Sequence, residues 1–76
     1  MANRQVMFTF PEEVIKEPII YNLGQQFNLV TNIRRADVSE TTGWIVIELE
    51  GKDKDIEDGI AWATSKGVRV DEVTEM

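Results

Sequence analysis

Apolar and polar residues change their spacing several times along the chain, and each change predicts a new element. Val6, Phe8 and Phe10 alternate with their neighbours, which predicts a half-buried strand that ends at Pro11. Apolar residues then recur three or four positions apart as far as Phe27, which predicts a helix over about 18–26. Pro18 fits the first turn of this helix, where its missing N–H costs nothing, so 11–17 is expected to be a turn or an irregular helical start.

The second half of the chain continues with three extended segments and one helix. Segment 28–38 is mostly extended, 39–43 is a polar turn containing glycine, and 44–50 is the strongest strand by its β-branched and aromatic content. Segment 53–66 has the spacing of an amphipathic helix. Gly67 follows it at the position where a residue in the left-handed backbone conformation commonly ends a helix. A short final strand is predicted at 68–70.

This order of strand, helix, strand, strand, helix, strand predicts an α+β fold. Two split βαβ units of this kind form a ferredoxin-like (βαββαβ) sandwich, in which a four-stranded antiparallel sheet carries both helices on one face. The chain is expected to be a single domain, 1–76, with its core at about 4–73.

Alternation also predicts which face of the sheet each side chain occupies. The face under the helices is expected to hold Val6, Phe8, Phe10, Ile45, Ile47, Leu49, Val68 and Val70. Met7, Trp44 and Val46 then lie together on the uncovered face, where an apolar patch is typical of an interface or a ligand groove. An alternative is that Trp44 only shields a strand edge. In the second strand both Ile33 and the set Val30, Ala36 and Val38 are apolar, so a bulge that switches faces is a further expectation.

Composition narrows the classes of function. The chain has 76 residues, a net charge of −6, no Cys and no His. Without Cys the chain can form no disulfide and ligate no iron–sulfur cluster, and without His it lacks the commonest metal ligand and acid–base group. A domain this small favours oligomerisation as a source of stability. We expect a homodimer. The acidic balance argues against nucleic acid, and the lack of a long apolar run predicts a cytoplasmic chain without membrane insertion.

Tests for catalytic or metal-binding motifs are negative. The acidic segment 51–58 fails the calcium-loop pattern, and its carboxylates fit the first turn of the following helix better. Neither Ser39 nor Ser65 has a base beside it, and the loop after the first strand is acidic where phosphate-binding enzymes of this topology place an arginine. RNA-binding modules share the topology, but their paired aromatics are missing. The sequence therefore predicts no enzyme, no metal and no cofactor.

The chain resembles the NIL domain family over essentially its whole length. The residues that carry the resemblance lie at 10, 17–20, 23, 26–28, 31–33, 43–51, 56–60 and 67–68. The family's Asn-Ile-Leu motif is matched by Asn32 and Ile33, whereas its Leu is replaced by Arg34. The resemblance implies an ACT-like regulatory fold of the kind found at the C-terminus of methionine-importing ABC-transporter ATPases and in ferredoxin fusions, here as a stand-alone domain.

Two functions follow as hypotheses. The first is a non-catalytic, dimeric regulatory module that binds a small metabolite, such as the amino acid methionine. Asn32, Ile33 and Arg34 are then the candidate ligand-binding residues, and Met7, Trp44 and Val46 the candidate interface. The second is a protein-interaction subunit that docks on a transporter ATPase or an iron–sulfur partner; replacement of the motif's Leu by Arg34 suits an acidic protein patch or a carboxylate-bearing ligand.

Overall fold

The order of elements inferred from the periodicity is confirmed by the structure, a computed structural model that describes residues 1–15 and 17–73. The elements are β1 (Ala2–Phe10), α1 (Ile19–Phe27), β2 (Val30–Val38), β3 (Gly43–Gly51), α2 (Asp53–Ser65) and β4 (Arg69–Glu72). The strands form one sheet in the order β2-β3-β1-β4, and every neighbouring pair is antiparallel. The fold is therefore the ferredoxin-like sandwich.

The core lies between the sheet and the two helices. Apolar residues at alternate positions of β1 and β3 meet the apolar stripes of α1 and α2 there. The buried set is Val6, Phe8, Phe10, Val14, Ile19, Leu23, Leu29, Ile47, Leu49, Ile56, Ala63 and Val68, and Ile45 and Val70 pack against it half-buried. All eight residues assigned from alternation to the helix-covered face thus lie in or against this core. Trp62 lies at its boundary, tilted against Phe27 with ring centroids 5.8 Å apart.

Two glycines meet requirements that other residues would not. A Cβ at Gly59 would lie 2.9 Å from Leu23 Cδ1 and 3.1 Å from Leu29 Cδ1, so its absence lets α2 pack closely on this part of the core. Gly67 follows α2 with φ of 98°, in the region that disfavours side chains, as its expected capping role requires.

The described residues between β1 and α1, 11–15 and 17–18, form a turn, as predicted, and they also contribute to the core. The backbone N–H groups of Val14 and Ile15 donate to the Pro11 carbonyl oxygen at 3.0 and 3.1 Å. This turn directs Val14 inward, where only 6% of its surface stays exposed. Sequence periodicity gave no signal for Val14, because one apolar residue in a turn has no repeat.

A bulge in β2 resolves the face assignment that alternation left open. Ile33 lies opposite Ile47, but the next register pair is Arg35 with Val46, so Arg34 is an extra residue in the strand. Ile33 therefore points to the helix side, and so do Ala36 and Val38 beyond the bulge. Because β2 is an edge strand that the helices cover only in part, Ile33 and Val38 stay 52% and 58% exposed.

No helix within the described residues combines the length and the apolar character that a membrane crossing needs.

Candidate functional site

The uncovered face of the sheet, called here the open face, carries two neighbouring rows of side chains set by the strand register. In the first row Asp37, Trp44, Thr9 and Arg69 lie side by side across β2, β3, β1 and β4. In the second row, two residues along each strand, lie Arg35, Val46, Met7 and Asp71. Residues paired across a ladder point to the same side of the sheet, so all eight share the open face.

The centre of these rows is apolar and half-buried. Met7, Trp44 and Val46, called here the central patch, are brought together as the alternation predicts. Met7 lies opposite Val46, and Trp44 is two residues from Val46 on β3. The structure thus forms the apolar patch, while its use as an interface stays a prediction.

The corners of the rows are charged, with signs that alternate. We call Arg35, Asp37, Arg69 and Asp71 the charged corners. On β4, the Arg69 Nε lies 3.1 Å from Asp71 Oδ2. Among the described residues, neither Arg35 nor Asp37 takes part in an ion pair. The β2 edge of the open face therefore carries two uncompensated charges of opposite sign.

The residues of the family motif do not converge on one pocket. Asn32 lies opposite Glu48 on the open face, whereas Ile33 points to the helix side. Arg34 Nη2 donates to Glu48 Oε2 at 3.2 Å, an ion pair between β2 and β3. Arg34 and Arg35 are neighbours in the sequence, yet both reach the open face, because Arg34 is the extra residue of the bulge.

The apolar cleft lies elsewhere, on the helix side at the end of the sheet. It has a volume of about 100 Å³ between the start of α1, the turn before it and the ends of three strands. Its lining comprises Phe10, Ile15, Glu17, Ile19, Ile20, Val38 and Ile45. A wider groove of about 670 Å³ adjoins it, shares Ile15 and Val38, and is bordered by Glu12 and Glu40.

Charge and backbone geometry distinguish the mouth of the cleft from its floor. The floor is aliphatic and aromatic, whereas Glu17, Glu12 and Glu40 place exposed carboxylates around the opening. The first turn of α1 borders the cleft through Ile19 and Ile20 and has no side-chain cap. The cleft can therefore accept a small apolar group, with carboxylates near its opening that attract a cation.

Sequence reasoning missed this cleft. Ile15, Val38 and Ile45 come from three separate segments, and only the packing of the turn against the β2–β3 hairpin brings them together. Within the described residues no group of three or more acidic side chains is arranged to hold a metal ion.

Comparison with known proteins identifies a family and solved structures of the same fold. The family model described as "NIL domain" matches residues 4–72. The crystal structure of the C-terminal domain of an ABC transporter ATP-binding protein from Enterococcus faecalis superimposes with a TM-score of 0.82 at 21% sequence identity. That match covers 96% of this chain and 86% of that one. Comparison with curated proteins finds no match.

Proposed function

We propose that this chain, which belongs to the NIL domain family, is a non-catalytic regulatory module that binds a small amino acid such as methionine. The observation that carries the proposal is the apolar cleft between α1 and the end of the sheet, with carboxylates around its mouth. The fold relative is itself a domain of a transporter ATP-binding protein, a setting in which a sensor of the transported solute is useful.

The size of the cleft favours a small ligand. A volume of about 100 Å³ is below the range of roughly 300–1,000 Å³ typical of drug-sized ligands, so the cleft itself admits a group about the size of one side chain. An unbranched thioether side chain adapts to an irregular apolar space of this kind and makes favourable contacts with an aromatic ring such as that of Phe10.

The charges at the cleft favour a zwitterion. The Glu17 carboxylate lines the cleft and attracts an α-ammonium group. The uncapped first turn of α1 presents the positive end of a helix dipole, which favours the α-carboxylate. A free amino acid carries both groups on one carbon and so satisfies both ends at once.

The motif residues Asn32, Ile33 and Arg34 remain a second proposed ligand site. Arg34 is the cation that would recognise a carboxylate there, but it is already engaged by Glu48. The cleft is therefore the stronger of the two.

Isothermal titration with L-methionine tests the proposal. We expect saturable heat for the wild type and none for Val38→Asp, which places a charge on the cleft lining. Tyr21→Asp, an equal charge change at a residue 68% exposed on α1, serves as the control and should bind as the wild type does. Absence of heat with methionine, homocysteine and related amino acids would contradict the proposal.

Self-association belongs to the same proposal. The module is proposed to act as a homodimer in the cytoplasm, with the central patch in its interface. Half-buried apolar side chains on a face without helices support this arrangement, since such patches on a small domain are typical of interfaces.

A protein-docking role is the second candidate, and the edge strand favours it. β2 has a neighbour on one side only, and its exposed Ile33 and Val38 make it a suitable template for an added strand. Affinity purification of the tagged chain from its own cells, with Ile33→Lys as the edge-blocked control, tests this role. A transporter ATPase or an iron–sulfur protein that is recovered with the wild type and lost with the variant would support it; equal recovery by both would count against it.

A further inference from the structure

The charged corners of the open face form a pattern that is complementary to itself. The first row ends in Asp37 on β2 and in Arg69 on β4. The second row ends in Arg35 on β2 and in Asp71 on β4. Each corner therefore differs in sign from both of its neighbours. Such a pattern matches a second copy of itself when one copy is turned over onto the other.

We infer that the open face packs against the open face of a second copy, related by a two-fold axis that runs along the strands. Under this axis β2 lies over β4 of the other copy, and each row lies over the same row. Arg35 then faces Asp71 of the partner subunit, and Asp37 faces Arg69 of the partner subunit. The inference rests on the proposed self-association and adds its geometry and its source of specificity.

The same superposition also brings the apolar residues of the two open faces together. Val46 lies over Met7 of the partner subunit, so the apolar centres meet. Further along the strands, Glu48 lies opposite Gln5 within the sheet and would therefore face an amide across the interface, and Glu50 would likewise face Asn3 of the partner subunit. Among the residues that the structure describes, no pair of like charges is brought together, so this arrangement avoids the repulsion that like-charge contacts cause at an interface.

A two-fold axis across the strands would also pair opposite charges, but it buries less surface. That axis must pass between the two rows, so the rows of Glu48 and Glu50 would extend past the end of the other sheet. The axis along the strands overlaps all the rows. We therefore assign the along-strand axis, with the sheets at the angle of about −30° that twisted sheets adopt when they pack face to face.

The extent of the face sets the strength of the dimer. Strand spacings of about 4.8 Å and a rise of about 3.3 Å per residue give a face of roughly 500 Å² per copy, allowing for the short β4. Stable interfaces bury around 800 Å² per partner. The dimer should therefore be weak and reversible.

Sedimentation equilibrium of charge-reversed variants tests the inference. Arg35→Asp places like charges at both ends of the interface and should raise the dimer dissociation constant at least roughly tenfold. Arg35→Asp combined with Asp71→Arg restores opposite charges and should bring the constant back near the wild-type value. Lys54→Asp, an equal charge change on an exposed position of α2, is the matched control and should dimerise as the wild type does.

The outcomes separate the inference from the function proposed above. Circular dichroism confirms that each variant is folded, and Asp71→Arg alone replaces Arg35→Asp if the latter does not fold. The inference would be overturned if the single reversals left the dimer dissociation constant unchanged, or if the double variant did not return to the wild-type value. Recovery with Asp37→Arg in place of Asp71→Arg, or a wild type that stays monomeric, would overturn it as well. Titration of the same variants with L-methionine reports independently on the cleft, since none of these substitutions lies in it.

Discussion

Val46 on β3 lies directly opposite Met7 on β1, on the face of the sheet that no helix covers. Both side chains are half-buried by their neighbours and would lose the rest of their exposure against a second copy. This pair is the apolar centre of the proposed dimer.

Replacement of Val46 by Lys should therefore convert the dimer to a monomer without unfolding the chain. A lysine can keep its ammonium group in water on an open face, but it cannot do so against another sheet. Sedimentation equilibrium should give a monomer mass, while the melting temperature at low protein concentration changes little. Tyr21→Lys on α1 is the control, and loss of dimer there as well would point to net charge as the cause.

Salt should weaken the dimer while leaving its apolar centre intact. Ion pairs at the exposed corners are screened when the Debye length shortens. We expect the dissociation constant to rise several-fold between low salt and about 0.5 M sodium chloride. The Arg35→Asp variant should show the opposite trend, because screening relieves repulsion; identical trends in both proteins would argue against charge pairing.

Gly59→Ala should destabilise the fold. The added methyl group would lie within 2.9 Å of Leu23 Cδ1 and 3.1 Å of Leu29 Cδ1, so both leucines must shift. Overpacking of this kind costs about 1–3 kcal/mol, of which roughly 1 kcal/mol is recovered by the better helix propensity of alanine. Urea unfolding should show a net loss, whereas Glu57→Ala, exposed on the same helix, should not. An unchanged unfolding midpoint for Gly59→Ala would mean that the two leucine side chains move aside without a cost in stability.

Gly67 offers a matched pair of substitutions. Its φ of 98° is unfavourable for any side chain, so Gly67→Ala should lose about 1–2 kcal/mol of folding free energy. Gly67→Asn should lose less, because asparagine tolerates positive φ better. Thermal unfolding of the two variants checks the order, and equal losses would assign the effect to contacts with Val14 instead.

Most of the fold could be predicted from the sequence, because the buried positions of this chain recur at regular intervals. Alternation in β1 and β3 and the helical spacing of Ile56, Gly59 and Ala63 are enough to place strands, helices and the helix-covered face. The position of the bulge at Arg34 could not be read in the same way, since it depends on how β2 aligns with β3. Asn32, Ile33 and Arg34 therefore formed one candidate site in the sequence and are divided between two faces in the structure.

The cleft could not be predicted from the sequence, for a related reason. Ile15 belongs to a turn without periodicity, and Val38 is the last residue of an edge strand. Neither shows a signal until tertiary packing brings them together. The central patch could be predicted, because Met7, Trp44 and Val46 alternate with buried residues along β1 and β3.

Arg34→Ala distinguishes the two proposed ligand sites. Its ion pair with Glu48 is half-exposed, so the loss of stability should stay below about 1 kcal/mol. If the ligand binds in the cleft, the heat of methionine binding should be unchanged in this variant. Loss of that heat in a folded variant would indicate that the ligand binds at the motif residues and not in the cleft.

The most direct test of the proposed function is a two-dimensional NMR titration of the isotope-labelled chain with L-methionine. If methionine binds in the cleft, saturable shifts should concentrate on Ile15, Ile20, Val38 and Ile45, while the backbone signals of Asn32 and Arg34 change little. A spectrum that does not respond to methionine, or one in which the shifts centre on Asn32 and Arg34, would contradict it.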